Sequence, residues 1–133
     1  MGTVAARVIV LDTHAWLWWV DAPRKLSRAA NRAIDRADRI GVCTVSVLEL
    51  VGLAERRRIR LKTPTRTWVA NALGRDRVER LPLMTDVAVY AAELRFVGDP
   101  IDRIIYATAR AEDAQLVTRD ERLRRFDPER ILW

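Results

Sequence analysis

Four carboxylates in this sequence stand where an apolar run ends or a helical run begins. They are Asp12 after RVIVL, Glu49 in SVLEL, Asp102 in GDPIDRIIYATA and Asp120 after QLVTR. Clustered carboxylates repel one another and raise each other's pKa unless a cation neutralises them. An oxygen-only ligand set suits a hard cation such as Mg²⁺ or Mn²⁺, which can activate water and bind phosphate oxygens. If the four side chains meet, the sequence predicts metal-dependent phosphodiester hydrolysis.

Two of these acids lie in patterns that also predict helix caps. Glu49 follows Ser46 in an S-x-x-E capping box, in which each side chain binds the other's free backbone N–H. Thr118 and Glu121 form a second box, T-x-x-E. In this interpretation Glu49 is structural, whereas Asp120 is not needed as a cap and is available for chemistry.

The other acids divide in a similar way. Asp12 suits the N-cap of the helix that follows it, and Asp99, directly before a proline, is a standard helix start. Asp102 is then left without a capping role, in a first turn whose helix dipole favours an anion. Asp86 also lies just after an expected strand, with Thr85 as the expected cap, and its local pattern resembles that of the four acids. We leave it out of the site because we expect its strand at the edge of the sheet.

Short apolar runs typical of strands alternate along the chain with helical patterns. The expected strands are 6–11, 39–45, 78–83, 114–118 and 130–133, and the expected helices are 13–22, 27–38, 46–58, 64–75, 85–95, 101–113 and 119–126. This alternation predicts an α/β domain, a three-layer α/β/α sandwich with a mostly parallel central sheet. Ligand sites of such sheets lie outside the carboxyl ends of the strands. We therefore expect the four acids to converge there.

The composition limits the setting in which this chemistry takes place. The chain has 133 residues, enough for one domain, and a net charge of +6 from 24 basic and 18 acidic residues. This excess favours a polyanionic partner, although solvated helix faces would account for it equally well. The lone Cys43 forms no internal disulfide and is expected to be buried. The N-terminus lacks a signal-peptide pattern and no apolar run reaches membrane-spanning length, so we expect a cytoplasmic protein with no membrane partner.

The motifs together resemble those of the PIN-domain ribonucleases, and most closely the VapC-type toxins of bacterial toxin–antitoxin pairs. The segments VLDTHAWLWW, SVLEL, GDPIDRIIYATA and LVTRDERL come in the family's order and spacing over essentially the whole chain. The resemblance implies a single PIN domain over residues 1–133. It also implies a magnesium-dependent endoribonuclease, with Mn²⁺ as an alternative ion.

The resemblance also implies roles and partners. Asp12 and Asp102 correspond to the commonest direct metal ligands of the family, and Glu49 to a residue that positions the ion directly or through water. Asp120 corresponds to a more variable supporting acid, which Thr118 would orient. The family further implies an RNA substrate, a homodimer and a VapB-type antitoxin, which typically wraps the toxin and sends a basic group into the acidic pocket.

Several other residues are candidates for a role at the site. His14 is expected at the helix start rather than as a ligand. Trp16, Trp18 and Trp19 could stack on bases, but their apolar neighbours favour core or dimer contacts for at least two of them. Arg103, next to the expected ligand in DRIIYATA, is a candidate to contact the scissile phosphate or to balance the acids.

A second function stays open, namely a non-catalytic module that binds RNA or a protein partner on the same scaffold. The intact set of four acids argues against it, since a binding module gains nothing from a repulsive pocket facing a polyanion. A phosphohydrolase with an aspartyl nucleophile would need a second aspartate at position 14, which is His14. Transfer, ribosomal and messenger RNA are equal alternatives as substrate, as are one and two metal ions.

Overall fold

Five parallel strands form the centre of the molecule. The computed structural model describes residues 6–96 and 98–133. The sequence predicts no signal peptide at the N-terminus, and residues 1–5 of that segment lie outside the described residues. The strands pair in the order β3–β2–β1–β4–β5, and each pair is parallel. Their bounds are β1 Val8–Leu11, β2 Arg39–Cys43, β3 Val78–Leu81, β4 Gln115–Val117 and β5 Ile131–Leu132. The expected parallel sheet is confirmed, with β3 at an edge as predicted.

Helices connect the strands and cover both faces of the sheet. Their bounds are α1 Thr13–Asp21, α2 Arg28–Arg36, α3 Thr44–Glu55, α4 Thr65–Leu73, α5 Thr85–Glu93, α6 Pro100–Ala111 and α7 Glu121–Phe126, with a short 3₁₀ turn at Pro23–Lys25. Alternate residues of β1 point to opposite faces, so that Ile9 and Leu11 pack with α1, α2 and α4, while Val10 packs with α6 and α7. This arrangement confirms the three-layer α/β/α sandwich.

Trp16 anchors the helix that follows the first acid. Its side chain is fully buried and meets Trp68 of α4 edge to face, with ring centroids 5.1 Å apart. The indole N–H of Trp68 donates a hydrogen bond of 2.9 Å to Asp21 at the end of α1. Because α1 is fixed at both positions, the residues on its opposite side, including Trp18, hold a defined position at the surface.

One expected helix start and two expected N-caps are wrong. The helix α3 begins at Thr44 with Cys43 as its N-cap, so Ser46 lies inside the helix and does not form the predicted capping box with Glu49. The hydroxyl of Thr44 donates to the backbone oxygen of Leu81 at the end of β3, which ties the helix start to the strand ends. Similarly, α5 has Met84 rather than Thr85 as its N-cap. The helix α3 thus starts directly after β2 ends, ahead of the residue with the better capping side chain, whereas α5 starts at residue 85 as expected and only its cap differs.

Two expectations about burial and membrane contact can be compared with the structure. Cys43 is buried, as predicted. Among the helices that the structure describes, none has the length and apolar character needed to cross a bilayer.

Candidate active site

A pocket of about 370 Å³ opens at the carboxyl edge of the sheet, beside the ends of β1 and β4. From β1 the chain builds β2 and β3 on one side and then β4 and β5 on the other, so the order reverses at this point. Such a switch point leaves a crevice in which ligands bind. The residues that line it are Asp12, Thr13, His14, Trp18, Glu49, Asp99, Asp102, Thr118, Arg119 and Asp120. The structure thus brings into one pocket all four acids that the sequence predicts.

Asp12 occupies the floor of the pocket. Its backbone N–H donates to the oxygen of Val117 in β4 at 3.1 Å, and its carboxylate caps α1 by accepting from the Ala15 N–H at 2.8 Å. Burial raises the pKa of Asp12 above its ordinary value, and nearby Glu49 adds to this. Hydrogen bonds from Thr118 and Ala15 oppose the rise. A cation next to Asp12 would remove the cost of keeping it ionised.

Asp102 has a strongly perturbed carboxyl group. It lies in the first turn of α6, where its N–H donates to the capping oxygen of Asp99 at 2.8 Å. Burial raises the pKa of Asp102 to about 7, with repulsion from Asp99, Glu49 and Asp120 adding to the effect of burial. The charge of Arg122 opposes the rise without cancelling it. The pocket is therefore short of positive charge at this residue.

Asp120 differs from the other two acids because a cation already accompanies it. Its carboxylate accepts the Arg122 N–H at 2.8 Å, and the guanidinium of Arg122 lies 3.1 Å from Asp120 and 3.6 Å from Asp102. Burial alone would raise the pKa of Asp120, but the hydrogen bonds and charge of Arg122 outweigh it and lower that pKa. Asp120 is also the N-cap of α7, so the predicted T-x-x-E box of Thr118 and Glu121 is wrong.

The hydroxyl of Thr118 lies between two of the acids. It accepts the backbone N–H of Asp120 at 3.2 Å and donates to the carboxylate of Asp12. This buried side chain therefore couples the end of β4 to the cap of α1. This position agrees with the expectation that Thr118 orients the acids. The functional role of Thr118 stays a prediction.

Two other supporting residues of the sequence analysis do not line the pocket. The guanidinium of Arg103 donates to the backbone oxygens of Leu94 and Gly98, each at 3.2 Å, and so braces the segment before α6. The expectation that Arg103 balances the acids is wrong, because that position belongs to Arg122. Ser46 is fully buried within α3, away from the pocket lining.

The family profile described as PIN domain matches residues 9–128 of this chain. The chain belongs to the PIN-domain family. Among curated proteins, it is 42% identical to Ribonuclease VapC22 of Mycobacterium tuberculosis (strain ATCC 25618 / H37Rv) over 118 residues. That alignment covers 87% of this chain and 89% of the relative.

Solved structures show the same fold. This PIN domain superposes on VapBC2 from Rickettsia felis, bound to a DNA fragment from its promoter, with a TM-score of 0.68 and 17% identity, over 94% of this chain and 97% of the other. A toxin–antitoxin complex from Klebsiella pneumoniae superposes with a TM-score of 0.63 and 20% identity, over 94% of this chain and 96% of the other. The sarcin–ricin-loop-cleaving toxin VapC20 of Mycobacterium tuberculosis superposes with a TM-score of 0.58 and 22% identity, over 80% of this chain and 85% of the other.

The three tryptophans of α1 take different positions in this PIN domain. Trp16 is in the core, Trp18 and Trp19 are both partly buried against the same hydrophobic cluster, and Trp18 in addition lines the acidic pocket. His14 and Arg119 lie beside Trp18 at the pocket's edge, and both are exposed. The structure thus agrees with core packing for two of the tryptophans and leaves Trp18 for a role at the site.

The donor chemistry of the pocket fits a hard divalent cation. Burial and mutual repulsion disfavour the ionised forms of Asp12 and Asp102, and the buried hydroxyl of Thr13 in the pocket wall has no hydrogen-bond partner among the described residues. As they stand, however, no three His, Cys, Asp or Glu side chains in the described ranges are arranged to hold a metal. Arg122 instead supplies positive charge between Asp102 and Asp120. A metal ion would require these carboxylates to exchange Arg122 for the ion.

Proposed function

We propose that this PIN domain, residues 1–133, is a metal-dependent endoribonuclease and the toxin of a type II toxin–antitoxin pair. The observation that carries the proposal is the pocket at the switch point of the sheet. Carboxylates from four distant segments line it, and burial together with the neighbouring carboxylates raises the pKa values of Asp12 and Asp102. The 42% identity to a ribonuclease over most of the chain supports the same activity.

In this proposal Asp12 and Asp102 hold Mg²⁺ or Mn²⁺, Glu49 positions it, and Asp120 supports the ligand set. The ion supplies Lewis-acid activation of water and charge neutralisation of the phosphate. Hydrogen bonds from the Ala15 N–H and from Thr118 fix the position of the Asp12 carboxylate. In this proposal Glu49, which lines the same pocket, accepts the proton of the attacking water.

The reaction adds water across one phosphodiester bond. The water oxygen bonds to phosphorus as the bond from phosphorus to the 3′ oxygen breaks, which leaves a 5′-phosphate and a 3′-hydroxyl. No side chain forms a covalent intermediate. The net charge of +6 and the exposed Arg119 at the pocket rim favour the approach of a polyanion.

The partners are proposals of the same kind. A VapB-type antitoxin is supported by the similarity of the fold to the toxin–antitoxin complexes from Rickettsia felis and Klebsiella pneumoniae. The homodimer is proposed from the family resemblance, and the cytoplasmic location from the single cysteine, which suits a reducing compartment. Since the sarcin–ricin loop is the target of VapC20, ribosomal RNA belongs among the first substrates to test, beside transfer and messenger RNA.

The test is cleavage of RNA by the purified chain, free of any partner, with Mg²⁺, with Mn²⁺ and with EDTA. Asp12→Asn and Asp102→Asn should each abolish cleavage and leave the circular dichroism spectrum unchanged. Asp86→Asn is the matched control, because Asp86 also lies in the first turn of a helix after a strand but outside this pocket. Wild-type rates in Asp12→Asn would refute the site assignment.

One observation favours the alternative of a non-catalytic RNA- or partner-binding module. The carboxylates are not arranged to hold a metal as they stand, and Arg122 partly neutralises two of them. Such a module would bind RNA tightly with or without metal and would produce no fragments in any of the three conditions. The cleavage assay therefore separates the two functions.

A further inference from the structure

One wall of the acidic pocket is aromatic. The ring of Trp18 lies on this wall, with the ring of His14 5.6 Å away on one side and that of Trp133 5.9 Å away on another. The guanidinium carbon of Arg119 is 4.9 Å from the centroid of Trp18. The other lining side chains are carboxylates and hydroxyls, which offer no planar surface.

The elements that hold the acids also hold this wall. His14 and Trp18 are four residues apart on α1, so they share one face of the helix whose cap is Asp12. Arg119 directly precedes Asp120. Trp16 lies in the core on the other side of α1 and keeps Trp18 in place. The aromatic wall is therefore fixed relative to the carboxylates.

We propose that Trp18, together with Arg119 and His14, forms a subsite that stacks an unpaired nucleobase next to the scissile phosphate. This inference rests on the proposed ribonuclease function and names the kind of RNA it takes, namely a single-stranded segment or loop. Proteins recognise such RNA largely by stacking unpaired bases on aromatic and arginine planes. A phosphate among the acids leaves its neighbouring base against this wall.

Arg119 does not prevent a base from reaching Trp18. Arg119 is exposed, and an exposed cation–π contact is weaker than the stacking of a base on an aromatic ring. A base therefore displaces the guanidinium from the indole. Arg119 is then free to bind the adjacent phosphate or to cover the other side of the base.

The chain contains a matched control. Trp19, the next residue, is also partly buried and also lies under an arginine, since the guanidinium of Arg75 is 4.2 Å from its ring centroid. It does not line the pocket. Replacement of Trp18 and of Trp19 by leucine thus removes the same chemistry at two places, only one of which faces the acids.

The experiment measures binding of short fluorescent single-stranded RNAs by anisotropy, in the cleavage-inactive Asp12→Asn protein with Mg²⁺. Trp18→Leu should weaken binding about tenfold and Trp18→Phe much less, whereas Trp19→Leu should change it less than about twofold. A second series replaces each nucleotide of the RNA in turn by an abasic one. One position should lose affinity in the protein that retains Trp18 and not in Trp18→Leu.

The abasic series keeps the test decisive if Trp18→Leu does not fold. In the protein that retains Trp18, we still expect loss of affinity when one particular nucleotide of the RNA is made abasic. Equal effects of Trp18→Leu and Trp19→Leu, or uniform abasic effects, would overturn the subsite. Unchanged RNA affinity with an altered mass in light scattering would assign Trp18 to a contact between protein copies. Base-dependent binding without cleavage by the wild type would retain the subsite and refute the ribonuclease.

Discussion

Asp102 should make the protein less stable at neutral pH than it would be with a neutral residue. The pKa of Asp102 is raised from 3.8 to about 7, chiefly by burial. The folded state therefore holds this proton more tightly than the unfolded state. The stabilisation of the fold by this tighter proton binding is fully present below about pH 4, and it is lost as the pH rises from about 4 through about 7. Asp102→Asn, which mimics the protonated acid, should not lose it.

The size of the effect follows from the same shift. Because a tenfold change in proton affinity corresponds to about 1.4 kcal/mol, full ionisation of Asp102 costs at most about 4 kcal/mol of folding free energy. The side chain keeps 28% of its surface exposed, so solvent reduces this cost, and we expect about 1–3 kcal/mol. For a chain of this length that corresponds to a rise in melting temperature of roughly 3–10 °C for Asp102→Asn at pH 8.

The assay is unfolding by heat or urea in EDTA, at pH 5 and at pH 8, for wild type and Asp102→Asn. The advantage of Asp102→Asn over wild type should be about a third as large at pH 5 as at pH 8, because the loss begins at about pH 4 and is complete at about pH 7. Asp120→Asn is the internal control, because the pKa of Asp120 is lowered and its ionised form stabilises the fold. At pH 8 Asp120→Asn should be less stable than the wild type, and this loss should shrink as the pH falls through the lowered pKa.

Mg²⁺ provides the link to function in the same assay. Millimolar Mg²⁺ should raise the melting temperature of the wild type more at pH 8 than at pH 5, since the ion and the proton compete for Asp102, and should not stabilise Asp102→Asn. The reasoning would be refuted if Asp102→Asn were no more stable than wild type at pH 8, or if its advantage were the same at both pH values.

Three further outcomes are expected. Arg122→Gln should bind Mn²⁺ more tightly than wild type in calorimetry, because the ion no longer competes with a guanidinium beside Asp102; unchanged affinity would mean that Arg122 does not occupy the ion's place. Asp99→Ala should lower the free energy of unfolding by about 1 kcal/mol in urea, through loss of the α6 cap. Trp16→Ala should lower it by about 3–5 kcal/mol, since Trp16 is fully buried, and a loss below about 1 kcal/mol would contradict its anchoring role.

The sequence was sufficient to predict the layers and the convergence of the acids. Alternating apolar runs predict a parallel sheet, and a parallel sheet gathers at one edge whatever follows its strands. Helix starts were less predictable, because α3 begins where β2 ends and not at the better capping residue Ser46. That boundary depends on the contact of Thr44 with Leu81, residues 37 positions apart, which no local pattern shows.

The balancing arginine was assigned wrongly for a geometric reason. Arg103 is adjacent to Asp102 in sequence, but neighbouring residues of a helix point about 100° apart, and its guanidinium binds the segment before α6 instead. Arg122 comes from the next helix, α7, which has three arginines among its six residues, and the local sequence gives no signal of which one faces the acids. Only the packing of α7 beside α6 makes that choice.

The structural and chemical interpretations of these acids are not alternatives, because a carboxylate has two oxygens. In Asp12 one oxygen accepts the Ala15 N–H and caps α1, which leaves the other for the pocket. Asn keeps the capping oxygen and loses the charge, whereas Ala loses both. Asp12→Asn should therefore lose cleavage at little or no cost in stability, and Asp12→Ala should lose cleavage and about 1 kcal/mol of unfolding free energy besides. Equal stability of the two variants in urea would show that the cap is not what fixes Asp12.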